Sequence, residues 1–378
     1  MKKRLKRLVK RSPRLYRAYL ALRNGGLRVL HPVLSTFGVR YVPPANPVTE
    51  VRRIDRTAAD AGAASGTRVL FFSLRGWANH LLWEATLAHA LQLRGARCDF
   101  VACDHVLSAC DTKTVEDTSA ALCDYCGRLA RGLPAQFGLA VHRLSSFATA
   151  AAAEQMDRLA QSVEAETVAG ESVAGLLLGD AIGASLTRFT LTGRAAAEDP
   201  AAVVARRGFL ASAAYLAQAC RDMLDRLQPD RIVVLNGMFV PEQILMAVAR
   251  ERGIPVLTYE QGNKIRNTLI FAWNRPANRE TLDEVWERHR TLPLTDAEGG
   301  VLDKYILGRA RGAVGSEQLW PEMEADKASI RARLGLDDRP IVSLFTNILW
   351  DTAMYQTQVG FADMFDWLRT TLSEMSRR

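Results

Sequence analysis

The chain has 378 residues, 48% of them apolar and 24% charged, a composition ordinary for a globular protein of two or three domains. No apolar run reaches the roughly 18 residues that a membrane-spanning helix needs, and the basic N-terminus has no apolar stretch behind it of the kind a secretory signal carries. The formal charge of +8 is unevenly placed: residues 1–50 hold twelve Lys and Arg against the single acid Glu50, so a basic arm precedes a near-neutral body.

In that arm, Lys2, Lys3, Arg4, Lys6, Arg7, Lys10, Arg11, Arg14 and Arg17 interleave with Leu5, Leu8, Val9, Leu15, Tyr16, Tyr19 and Leu20. Apolar residues at helical spacing among bases suit an anionic membrane surface, where each base adds about 1 kcal/mol. Residues 2–28 are therefore expected to lie on such a surface, with Pro13 dividing them into two short helices. A solvated tail and a nucleic-acid contact are the competing readings; the apolar spacing favours lipid, and no nucleic acid is expected as a partner. The expected location is cytoplasmic, peripheral at the inner face of the plasma membrane. Residues 51–66, with the Ala/Gly/Ser stretch from Ala58, read as a linker.

The packed body is expected to start at Thr67. Arg68–Ser73 is a buried strand, followed by a loop (Leu74 to Asn79) and a helix with Leu81, Ala85, Ala88 and Leu91 on one face. Gly95 closes that helix, and Cys98–Ala102 is the next strand, which completes a βαβ unit. A cysteine-rich segment spans 98–126, and helical patterns dominate 150–228. A second βαβ unit follows: strand Ile232–Leu235, helix Pro241–Arg252 closed by Gly253, strand Val256–Tyr259. The expected fold is α/β, a doubly wound, Rossmann-like parallel sheet over 67–335 with a helical insertion. Ligands on such sheets bind beyond the carboxyl ends of the strands, so the loops after Ser73, Ala102, Leu235 and Tyr259 matter most. Ile341–Thr346 reads as one more strand, followed by an amphipathic helix bearing Phe361, Met364, Phe365, Leu368 and Leu372. One strand and one helix are how an α/β domain begins, so 336–378 are expected to be the start of a second, incomplete domain.

The loop after the first strand carries Arg75, Trp77, Asn79 and His80. His80, at a helix start, is a candidate general base, because imidazole titrates near neutral pH; a histidine bound to backbone is the plainer reading. Arg75 could hold an anion or a sugar hydroxyl. The loop lacks the G-x-G-x-x-G spacing of a dinucleotide site, and the chain has no P-loop. After the Val256 strand come Glu260, Gln261 and Asn263, a carboxylate and two amides around Gly262 that suit a polyol. Glu260 is the alternative base, or the group that orients His80. Asn347 and Asp351, past the Ile341 strand, are placed to meet a second ligand.

Cys103, Cys110, Cys123 and Cys126 read C-x6-C-x12-C-x2-C, with Asp104, His105 and Asp111 interleaved. Four cysteines in so short a span suggest a tetrahedral thiolate site, most simply structural zinc. Reduced cysteines in a loop are the alternative. A zinc with all four positions filled would pin the loop rather than do chemistry.

Taken together, the segments "VLFFSLRGWANHLLWEATLAHALQLRG", "CDHVLSAC" with "CDYC", "LTYEQGNKIRNTLIFAWNRPA" and "IVSLFTNILWD" resemble bacterial glycosyltransferases of the two-Rossmann (GT-B) type that build capsular and other surface polysaccharides. The resemblance implies transfer of a sugar from a nucleotide-sugar donor to a glycan or lipid-linked acceptor. It implies an acceptor site in the N-terminal domain, a donor site in the C-terminal one, and no metal or other cofactor required for transfer. On that likeness the chain is expected to lack most of the donor domain and to be impaired in transfer. A scaffold protein of a polysaccharide assembly complex and a nucleotide-sugar epimerase are the rival readings.

Overall fold

The computed structural model describes residues 66–192, 199–262, 268–277, 283–310, 326–351 and 360–377. The basic arm, all of the linker but Gly66, and Asn263 lie outside the described residues.

The body is an α/β sandwich around one six-stranded sheet. In chain order its elements are β1 (Arg68–Phe72), α1 (Ala78–Gln92), β2 (Arg97–Ala102), α2 (Ala120–Gln136) and β3 (Ala140–Arg143). A helical insertion follows: α3 (Ala150–Gln161), α4 (Ala165–Val168), a small hairpin of β4 (Ser172–Val173) and β5 (Leu176–Leu177), α5 (Leu178–Ala181), α6 (Gly183–Thr190) and the long α7 (Pro200–Leu227). The second half holds β6 (Arg231–Leu235), α8 (Val240–Glu251), β7 (Val256–Gln261) and β8 (Leu269–Trp273). The remaining helices are α9 (Asp283–His289), α10 (Asp296–Ala310), α11 (Lys327–Leu334) and α12 (Met364–Ser376).

The strand order is β3-β2-β1-β6-β7-β8. All neighbours are parallel except the β7–β8 pair. The chain therefore winds outward from β1 in one direction, returns through the helical insertion, and winds outward from β6 in the other. That reversal between β1 and β6 is the switch point of a doubly wound, Rossmann-like sheet, where the loops leaving the two strands part and leave a crevice.

The alternation of side chains along β1 explains the layering. Leu70 and Phe72 face a core shared with Phe209, Leu216 and Met223 of α7 and with Ile244 and Val248 of α8. Val69 and Phe71 face a second core with Ala85 and Ala88 of α1, Phe100 of β2 and Phe137. Both faces are covered, so the central strands read as unbroken apolar runs. The Phe71 and Phe100 rings stack at 4.8 Å, and burying one such side chain stabilises by about 1.5–3 kcal/mol. The α7 helix starts on a good signal: Asp199 accepts from the Ala201 N–H at 2.9 Å, and Pro200 occupies the first turn.

One expectation needs correction. Ile341–Thr346 forms no strand; the segment has no regular secondary structure and is mostly exposed, with Phe345 at 88%. A strand exists only through a partner's hydrogen bonds, and no described strand lies beside this one. Within the cysteine-rich segment, Cys98 stands on β2 and Cys123 and Cys126 on α2. The helix near the C-terminus does form: Asp363 caps it by accepting from the Asp366 N–H at 2.8 Å, and its Phe365 and Leu372 are exposed. Among the described residues, no helix is long and apolar enough to cross a membrane.

Candidate functional site

A cleft of about 620 Å3 opens at the carboxyl ends of the central strands, over the switch point. Trp77, Asn79, His80 and Trp83 from the start of α1 form one wall. Asn236 and Phe239, after β6, and Glu260 and Gln261, at the end of β7, form another. Arg188 of α6 and the stretch Ile348, Trp350 and Asp351 close the remaining side. Six residues singled out in the sequence thus meet in one place: Trp77, Asn79, His80, Glu260, Gln261 and Asp351. Asn347 is exposed and does not line the cleft.

Arg75 takes a position different from the expected one. Its guanidinium lies beneath the cleft, with 6% of the side chain exposed; both terminal nitrogens are engaged by acids, while the buried Nε has no hydrogen-bond partner among the described residues. Nη1 donates to Glu242 Oε1 at 2.6 Å, and Nη2 donates to Glu242 Oε2 at 2.7 Å and Asp111 Oδ2 at 2.9 Å. The Trp77 and Phe239 rings flank it at 5.1 and 4.7 Å. Burial works against its charge, but the two carboxylates outweigh that and hold the guanidinium protonated well above its ordinary range. An arginine committed in this way braces the loop after β1 against α8; it has no fork left for an anion or a sugar.

His80 sits among the rings of Trp77, Trp83 and Tyr259 at 5.8, 5.1 and 5.9 Å. Burial, aided by the Arg75 cation, pushes its imidazole down to about 4, so it is neutral at physiological pH. Its Nδ1 lies 3.4 Å from the Tyr259 hydroxyl, and that hydroxyl donates to Glu84 Oε1 at 2.8 Å. The other Glu84 oxygen accepts from the Ser73 hydroxyl. Burial raises Glu84 to about 7. The group that orients His80 is therefore Tyr259, set in turn by Glu84, and not Glu260.

Glu260 is held separately. Asn236 Nδ2 donates to its Oε2 at 2.9 Å, and the Gln261 N–H donates to its Oε1 at 2.7 Å. Burial pushes the carboxyl above the usual range against those hydrogen bonds, and the Asp351 charge adds to the rise. Asn236 is itself pinned: its Oδ1 accepts from the Met238 N–H at 3.0 Å and its backbone carbonyl from the Ala277 N–H at 2.9 Å. The turn beyond it needs Gly237, whose φ is +81° and whose missing Cβ would sit 3.1 Å from Thr258 Cγ2. Asn236 and Phe239 give no sequence signal of their own beyond following a buried strand.

Arg188 is the cation of the cleft. Its guanidinium lies over the Trp77 ring at 5.3 Å and the Trp350 ring at 5.7 Å, and its Nε donates to the Asp111 carbonyl at 3.1 Å. It forms no salt bridge among the described residues; burial lowers its pKa, and the Asp111 and Asp351 charges work against that. Sequence reasoning missed it because α6 is remote in the chain from every other wall of the cleft.

All six cysteines are free thiols. Cys103, Cys110, Cys123 and Cys126 line one small cavity on the far side of Arg75. Among the described residues, no three His, Cys, Asp or Glu side chains are disposed to hold a metal ion as they stand. Burial pushes the Cys103 thiol up to about 12 and raises Cys110 and Cys123 as well.

No protein-family model matches the chain, and no curated protein or solved structure matches it.

Proposed function

We propose that the protein is a glycosyltransferase of the GT-B kind, with residues 67–335 taking a glycan or lipid-linked acceptor. The observation that carries this reading is Glu260, a carboxyl raised by burial and aimed by Asn236 into a cleft walled by Trp77, Trp83, Phe239 and Trp350. Aromatic faces pack against the C–H faces of sugar rings, and the side-chain amides of Asn79 and Gln261 supply donors and acceptors for hydroxyls. Arg188, set over the Trp77 and Trp350 rings, suits a phosphate of the acceptor or of the departing diphosphate.

In the proposed reaction, an acceptor hydroxyl loses its proton to a Glu260 oxygen as its own oxygen attacks the anomeric carbon of the donor. The bond from that carbon to the nucleoside diphosphate breaks, and the diphosphate leaves with the electron pair. Glu260 fits the base better than His80, because a base held down near 4 has little pull on a hydroxyl proton at neutral pH. His80, fixed by Tyr259, positions the acceptor. The nucleotide-sugar donor would enter from the side of Trp350 and Asp351. The basic arm, residues 2–28, would hold the cleft near an anionic membrane surface at the cytoplasmic face, where a lipid-linked acceptor lies. A non-catalytic scaffold is favoured by one observation, the exposed apolar side chains Trp286, Ile306, Phe345 and Phe365.

The test is to incubate the full chain with uridine-, guanosine- and cytidine-linked sugars and an extracted bacterial glycolipid fraction, following nucleoside diphosphate release. The expected result is release that depends on acceptor and that Glu260→Gln abolishes while acceptor still quenches tryptophan fluorescence. Acceptor binding with no release from any donor supports the scaffold reading instead.

A further inference from the structure

We infer that Cys103, Cys110, Cys123 and Cys126 form one tetrathiolate zinc site that locks the floor of the cleft in place. The fold brings the four together although 23 residues of chain separate the first from the last. All four line a cavity whose inner space is about 20 Å3, room for a single small occupant. Cys98 and Cys220 lie apart, buried in the two apolar cores.

The surroundings of one sulfur suit a thiolate: the Gly76 N–H donates to Cys126 Sγ at 3.0 Å, and the Thr112 hydroxyl lies 3.7 Å from the same atom. Such contacts are the outer shell that steadies a metal-bound thiolate. The turn after Cys103 is also strained: His105 has φ 78°, a left-handed conformation costly for a non-glycine residue.

The other two ligands come from a helix. Cys123 and Cys126 lie three apart on α2, hence on one face. Two ligands from turns and two at helical spacing form a closed four-coordinate set of the structural kind. Four thiolates around a divalent ion leave a net double negative charge, and the cation Lys113 lines the cavity. His105 is occupied elsewhere, with Nδ1 3.6 Å from Asp124 Oδ1, and serves as a neighbour rather than a ligand. Since the side chains as they stand do not converge on a common point, the ion must draw the sulfurs inward by rotation about χ1, between staggered wells.

The site would act on the cleft through two links. Gly76 hangs on Cys126 and belongs to the loop that carries Trp77, Asn79 and His80. Asp111 follows Cys110 directly and grips Arg75. Zinc would tie that loop, the 103–119 segment and α2 together.

The test uses the full chain, purified without chelator, and measures metal content by mass spectrometry of the digested protein. Reduced, metal-stripped protein is then titrated anaerobically with zinc and, separately, with cobalt. The expected result is one zinc per chain, and a cobalt complex with a thiolate charge-transfer band and the intense visible bands of tetrahedral coordination. Cys103→Ser and Cys126→Ser should each weaken zinc binding by about tenfold or more, while Cys98→Ala keeps one zinc per chain. Should the serine variants fail to fold, the wild-type cobalt spectrum decides alone. Absence of the thiolate band, stoichiometric iron in place of zinc, or an equal loss of zinc in Cys98→Ala overturns the inference.

Discussion

Replacing Arg75 by methionine tests whether the floor of the cleft is held by charge. Methionine keeps most of the volume and removes the guanidinium. Glu242 and Asp111, whose side chains are 0% and 1% exposed, then lose three hydrogen bonds to a cation. Removing one partner of a buried pair costs about 3–5 kcal/mol, because the remaining charge stays out of water. With two stranded acids the cost should reach the upper end of that range. It should also depend on pH in a defined sense. Burial already raises Glu242 above its ordinary value with Arg75 present, and without Arg75 that carboxyl rises further. An acid whose folded pKa exceeds its unfolded one contributes stability below the unfolded pKa and loses it as pH rises through the folded one. The variant should therefore lie closer to wild type at pH 5 than at pH 8. Urea unfolding followed by tryptophan fluorescence at both values measures the difference. A loss below about 1 kcal/mol, or a deficit unchanged between the two pH values, would refute the reasoning.

Glu84, raised to about 7, should lend the wild type stability that is full below about 4.5 and fades as pH rises through 7; Glu84→Gln should flatten that slope, on the order of 1–3 kcal/mol between pH 5 and 8, read from urea midpoints. Gly76→Ala places a Cβ within 2.6 Å of Cys126 Cα, which is backbone and cannot step aside, so thermal unfolding should show a loss of about 1–3 kcal/mol. Arg188→Gln should stay folded by circular dichroism and weaken binding of inorganic pyrophosphate, measured by calorimetry, by about tenfold or more; equal affinity in the two folded proteins would remove Arg188 from the anion-binding role.

What is legible in the sequence follows burial. β1, β2, β6 and β7 lie inside the sheet, and their long apolar runs announce them. β3 and β8 are edge strands and half-wetted; nothing in Ala140–Arg143 separates it from loop, while the apolar run Leu269–Trp273 is a strand pattern that sequence reasoning missed. α2 hides behind Gly127, Gly132 and Pro134, which break its helical pattern. Ile341–Thr346 errs the other way: an apolar run looks the same whether or not a neighbouring strand is there to pair with it. The cleft residues at strand ends are legible from topology alone, which points to the right loops. What each residue does in its loop is not. Arg75 looks like a free cation until Asp111 and Glu242, 36 and 167 residues away, are seen to hold it. The pairing of Tyr259 with Glu84 across 175 residues is equally invisible in a linear reading.

The place of β1 in the sheet has a consequence for synthesis on the ribosome. Its first neighbour, β2, emerges within thirty residues, but its second, β6, is delivered only after the Arg68 backbone can meet Asp230, 162 residues on. Closing a loop of that length is slow and comes late. Throughout that interval the nascent chain carries Val69, Leu70 and Phe71 on an open edge that can pair with any passing strand. Shielding of that edge by a chaperone, or the early collapse of α3 to α7 over it, should therefore govern the yield of folded protein more than the final stability does.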